Sequence, residues 1–138
     1  MNKLYFKMSE LIHSDTAAKL NINNMPPIQV LDKLQALIFY TLNPTRQHFN
    51  KPIIVTSGYR CSILNNKVNG AKNSQHLVGE AADIVINGAN LHDVFAWMKS
   101  NVPYDQLLFE KDSKGNKWIH VSYREGANRK KAIDNYIS

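Results

Sequence analysis

One carboxylate in an otherwise apolar run constrains this chain more than any other feature. Ala82-Asp83-Ile84-Val85-Ile86 is short and rich in β-branched residues, which marks it as a strand. An ionised side chain at the start of such a strand is costly to bury unless it is paired or bound to a metal. The rest of the sequence must therefore supply Asp83 with a partner.

The residues leading into the strand offer one. In Ser74-Gln75-His76-Leu77-Val78-Gly79-Glu80-Ala81-Ala82-Asp83, His76 marks a change from polar to apolar sequence, and Gly79 permits a tight bend. The segment can fold back so that His76 and Asp83 share one ion. A second histidine lies in Lys117-Trp118-Ile119-His120-Val121-Ser122-Tyr123, a strand-like run in which period-2 alternation puts His120 on one face with Trp118 and Ser122.

The spacing before that run predicts its partner. Tyr104–Lys111 is also strand-like, and the connection Asp112-Ser113-Lys114-Gly115-Asn116 suits a β-hairpin. Closing the hairpin there sets Glu110 opposite Trp118 and Leu108 opposite His120. Glu110 and His120 then become diagonal neighbours on one face, a spacing suited to a base beside a metal-activated water. A slip of one residue would reverse the face. Taken singly, a strand histidine or a strand-start aspartate is more often structural; the combination carries the weight.

The remaining pattern predicts a frame for these strands. Residues 9–20 read as a short helix capped by Ser9 or Ser14. Pro26-Pro27 opens a longer one, with Ile28, Leu31, Leu34, Ile38 and Leu42 forming an apolar stripe and Pro44 ending it. Pro52–Ser57 reads as a buried strand, residues 60–68 as a short helix and residues 69–74 as a loop. A helix over about 90–101 carries Leu91, Val94, Phe95 and Met98 on one face. This order predicts an α+β domain with a small, mostly antiparallel sheet and helices packed on one side.

Composition removes several alternatives. The chain has 138 residues, of which 43% are hydrophobic, enough for one folded domain and too apolar for a disordered segment. No run approaches the roughly 20 apolar residues of a membrane helix. The start, Met1–Lys7, has no apolar core or cleavage site, so synthesis without a secretory signal is expected. The one cysteine, Cys61, rules out an internal disulfide and a Cys-based zinc site. Seventeen Lys and Arg against 11 Asp and Glu leave a charge of +6, which favours polyanionic partners. The Arg129-Lys130-Lys131 run reads as solvated surface or as a substrate-docking element. No nucleic-acid motif accompanies it, and the aromatic residues are not interleaved with it.

These residues resemble the zinc D-alanyl-D-alanine carboxypeptidases and related murein endopeptidases, which include phage endolysins. Ser74, His76, Gly79, Ala81 and Asp83 fit the family's Ser-x-His-x-x-Gly-x-Ala-x-Asp signature. Trp118-Ile119-His120 fits its later Trp-x-His element, and Ser57-Gly58-Tyr59-Arg60 its Ser-Gly-Tyr-Arg element. The resemblance runs from about Glu10 to Tyr123.

It implies a single zinc peptidase domain over residues 1–138, with zinc held by His76, Asp83 and His120 on the open face of the sheet. It also implies that Arg60 binds a substrate carboxylate or polarises the carbonyl, with Ser74 and Tyr59 contributing to the pocket. Many members place the catalytic acid three residues before the last ligand, where this chain has Lys117. Asp105-Gln106-Leu107-Leu108-Phe109-Glu110 matches a subgroup that makes Glu110 the base, with Asp105 next.

The implied activity is hydrolysis of D-amino-acid-containing peptides of peptidoglycan by a monomeric enzyme that reaches the wall after lysis or holin-type release. The rival is a zinc-stabilised module that binds wall peptide or protein without cutting. Glu80, at a variable motif position, reads as solvated. His13, His48 and His92 read as surface or capping residues.

Overall fold

The computed structural model describes residues 5–137. The first four residues, part of the segment read for a secretory signal, and Ser138 lie outside the described residues.

The region read as one helix is two: α1 (Met8–Ile12) and α2 (Asp15–Lys19). The chain extends at His13, and Ser14 caps a new helix by accepting the Ala17 N–H. A cap so placed starts a helix and cannot lie inside one. Ser9 falls within α1, whose preceding residue is Lys7.

Pro27 opens α3 (Ile28–Leu37) as expected, but Pro44 does not end the helical path. A π-helical turn, Ile38–Leu42, leads directly into α4 (Asn43–Phe49), with Pro44 in its first turn. A proline is tolerated in a first turn because its missing N–H is not required there. The buried stripe is also rotated from the expected one. Val30, Leu34, Leu37, Thr41 and Leu42 face inward, while Ile28 is 75% exposed. Val30 packs directly over Gly79, which turns that side of α3 toward the sheet.

Five strands form one sheet in the order β1-β2-β4-β3-β5: β1 (Ile53–Ser57), β2 (Ala81–Ile86), β3 (Gln106–Lys111), β4 (Lys117–Ser122) and β5 (Lys131–Ile137). All neighbours are antiparallel except β3 and β5. The fold is α+β. Between β1 and β2 lies α5 (Ser62–Lys67), with Cys61 before its first turn, and between β2 and β3 lies α6 (Leu91–Asn101).

Two strand readings change. The first strand is an edge strand with alternating burial, not a buried one; Ile54 is 40% exposed. The last strand, β5, starts at the end of the basic run and covers residues to which the sequence assigned no element. Asp134 and Asn135 disfavour a strand locally, and Asn135 takes φ +59°. Its pairing with β3 supplies what local preference does not.

The hairpin closes in the predicted register, with Leu108 opposite His120 and Glu110 opposite Trp118. Alternation then sorts the sheet's two faces. Ile84, Leu107, Phe109, Ile119 and Val121 join Leu34, Val94 and Met98 in the core. Burying one such aliphatic side chain contributes about 1.5–3 kcal/mol. Asp83, Leu108, Glu110, Trp118 and His120 share the opposite face.

Candidate metal centre and cleft

The β2–β4 register sets Asp83 directly opposite His120. The Asp83 Oδ1 and His120 Nδ1 atoms are 3.0 Å apart. His76 reaches the same carboxylate from outside the sheet, on a 3-10 turn over Gln75–Val78. Ser74 caps that turn by accepting the His76 backbone N–H, and Gly79 ends it at φ +79°. A side chain at Gly79 would collide with Val30, at 2.7 Å from its Cγ1. Glycine is therefore required for His76 to be delivered here.

His76 is oriented by its second ring nitrogen. Nδ1 donates to the Gly58 carbonyl at 2.7 Å, and this turns Nε2 toward Asp83, 3.3 Å from its Oδ1. Gly58 can occupy this position because a side chain on it would run into the backbone of Leu11. The three ligand atoms offered by His76, Asp83 and His120 lie within 4.8 Å of one another.

Burial of Asp83 works to raise its pKa. The charges of His76 and His120, with hydrogen bonds from both, outweigh it and hold the carboxyl well below the usual carboxylate range. Asp83 therefore presents as an anion between two imidazoles. Two histidines and one carboxylate make a donor set that fits a divalent ion such as zinc, with a coordination position left for water or substrate.

Glu110 lies beside the cluster, its Oε1 3.9 Å from His120 Nδ1 and its side chain 10% exposed. Arg60 is tied to the same unit, because its backbone N–H donates to the His76 carbonyl at 3.0 Å. Burial lowers the pKa of its guanidinium, opposed by Asp83 and Glu110. Nε of Arg60 is buried with no protein partner among the described residues.

All five residues line one cleft of about 720 Å³, with Ser74, Gln75, Trp118 and Arg129 around it and Val68–Ala71 as one wall.

Other expected site residues fall elsewhere. Tyr59 packs in the core, donates its backbone N–H to Leu11 and does not line this cleft. Asp105 is fully buried, and both its oxygens accept hydrogen bonds, from Arg129 and Gln75. Lys117 is exposed at the start of β4.

Glu80 is not solvated. Its side chain is 13% exposed, within 3.5 Å of Lys33 and 3.8 Å of Arg124, because the turn at Gly79 folds it beneath α3. His13 pairs with Asp15 at the surface, while His48 and His92 stack on Trp97 and Phe109.

Gln75 is a cleft residue that sequence reasoning did not assign, and of the run read as solvated surface or substrate-docking element Arg129 borders the cleft. Gln75 occupies a variable motif position. Arg129 lies in a basic run whose direction only β5 determines.

A model of the family described as Peptidase M15 matches residues 4–122 of the chain. The matched span includes the clustered His76, Asp83 and His120 as well as Arg60 and Glu110. No curated protein matches the sequence significantly. Among the described residues no helix is long and apolar enough to cross a membrane.

Proposed function

The chain belongs to the Peptidase M15 family of metal-dependent peptidases, and from that premise we propose that it is a zinc metallopeptidase cutting D-amino-acid-containing peptide bonds in peptidoglycan stem or cross-bridge peptides. One observation carries this reading. His76, Asp83 and His120 converge in the same cleft that holds Glu110 and Arg60.

In this reading His76 Nε2, Asp83 Oδ1 and His120 Nδ1 hold the ion. Zinc so held supplies Lewis acidity toward the scissile carbonyl and lowers the pKa of a water. Glu110 takes the proton of the attacking water and returns it to the leaving amine. What supports this role is its position beside the candidate ligands, with Oε1 3.9 Å from His120 Nδ1. Arg60, always protonated and held by the His76 backbone, steadies the developing oxyanion or anchors a substrate carboxylate. Ser74 acts mainly by fixing the turn that presents His76. The charge of +6 favours approach to an anionic wall, consistent with a lytic enzyme of phage or prophage type.

The test is mass spectrometry of purified peptidoglycan digested by the zinc-loaded protein, with and without chelator. New peptide termini and free amines that disappear with chelator support the reading. Zinc-dependent binding of wall material without new termini would instead identify a non-catalytic binding module.

A further inference from the structure

The basic run after β4 does not behave as one surface. Lys130 is exposed at φ +53°, and the Lys131 backbone N–H bonds the Asp105 carbonyl to begin β5. Arg129 turns the other way and borders the cleft. Its backbone N–H and Nε donate to Asp105 Oδ1 at 2.8 and 3.0 Å, and its Nη2 donates to Oδ2 at 2.8 Å. Asp105 is wholly buried, so this fork is held on a rigid base. A guanidinium has five N–H donors; two of its three nitrogens are committed to Asp105. Nη1 makes no protein hydrogen bond among the described residues, and the side chain remains 54% exposed. Arg129 also lies outside the span that the family model matches.

We propose that Arg129 is a specificity residue that grips a substrate carboxylate away from the scissile bond, so that the preferred substrate is an acidic peptide. The inference rests on the peptidase reading above and adds the charge of the substrate to it. A planar, always-charged fork recognises carboxylate geometry. Here Asp105 has already removed most of the side chain's freedom, so binding a ligand costs little further ordering. The surroundings favour an anion. An adjoining hollow shares Ser74, Gln75 and Arg129 with the cleft and adds Lys72 and Arg124. The acid in it, Glu80, is already within ion-pair range of Arg124 and Lys33.

A latch that only anchors β5 would use the same contacts with Asp105, so the test separates grip from latch. Binding of synthetic stem pentapeptides is measured by calorimetry on the full chain, zinc-loaded and carrying Glu110→Gln to stop turnover. One peptide has all carboxylates free, and each of the others has a single carboxylate amidated. One amidation is expected to weaken binding roughly 10–100-fold, the range of a charge-assisted hydrogen bond. Adding Arg129→Ala should weaken the free-acid peptide by a similar factor and leave that amide unchanged. Arg129→Lys, which keeps the charge and can still pair with Asp105, should fall between and covers a folding failure of the alanine variant. Equal loss for every peptide, or no loss, overturns the proposal. Hydrolysis of peptidoglycan without acid–amide discrimination removes Arg129's role and leaves the peptidase reading standing. If the parent protein binds none of the peptides, both fail.

Discussion

Asp83 on β2 and His120 on β4 are cross-strand partners, with Oδ1 and Nδ1 3.0 Å apart. Backbone pairing thus fixes two of the three candidate ligands before any ion binds. The third, His76, depends on a single turn, so the centre should be most sensitive there.

The first prediction concerns the ligands. His76→Ala should weaken zinc binding by more than the roughly 10–100-fold that outer-shell changes produce. The β2–β4 pair does not depend on His76, so the fold should persist. Metal content by mass spectrometry, alongside circular dichroism, checks both halves. Full zinc retention would remove His76 from the ligand set.

Glu110 should separate binding from chemistry. Glu110→Gln keeps size and hydrogen bonding but cannot take a proton, so turnover should fall about 10²–10⁴-fold with zinc content unchanged. Parallel zinc and rate measurements decide it. Wild-type turnover in this variant would return the base role to another group.

Gly79→Ala should destabilise the protein and disturb the centre together. The residue sits at φ +79°, and the new Cβ would lie 2.7 Å from Val30 Cγ1 and 2.8 Å from the Val30 carbonyl oxygen. Strain of this kind costs about 1–3 kcal/mol, roughly 3–10 °C in Tm for a chain of this size. Calorimetry with and without zinc should show a lower Tm and a smaller zinc-induced rise. An unchanged Tm would contradict the turn's role.

Acid stability should depend on Asp105. Hydrogen bonds from the Arg129 side chain, opposed by burial and helped by the Arg129 backbone and Gln75, hold its carboxyl down to about 2. Because the folded value is depressed, the stabilisation is fully present above the ordinary carboxylate range. It is lost as pH falls through about 2. Asp105→Asn should therefore lower Tm at neutral pH and flatten its decline between pH 4 and pH 2. Thermal melts across that interval test the sign; an equally steep decline in the variant would refute it.

The hairpin register was legible because its determinants are local. Asp112 Oδ1 accepts the backbone N–H groups of Lys114 and Asn116, and Gly115 takes φ +87°. A turn closed by its own residues leaves one register, and alternation then sends Glu110 and His120 to one face. The stripe on α3 was misjudged by about one position, because contact between Val30 and Gly79, distant in sequence, sets its rotation. Glu80 was misjudged for a related reason, since Lys33 and Arg124 approach it only in the folded chain.

The sequence by itself determined the chemistry at hand: two imidazoles, a carboxylate that needs them, and the turn residues that present each one. Those follow from residue type and short spacing, where backbone sterics and alternation act within a few residues. Tertiary structure alone decided that helix passes through Pro44, that β5 pairs beside β3, and that Arg129 pairs with Asp105 at the border of the cleft. Each depends on contacts between distant segments, whose free energies exceed local preference and leave no periodic trace in the chain.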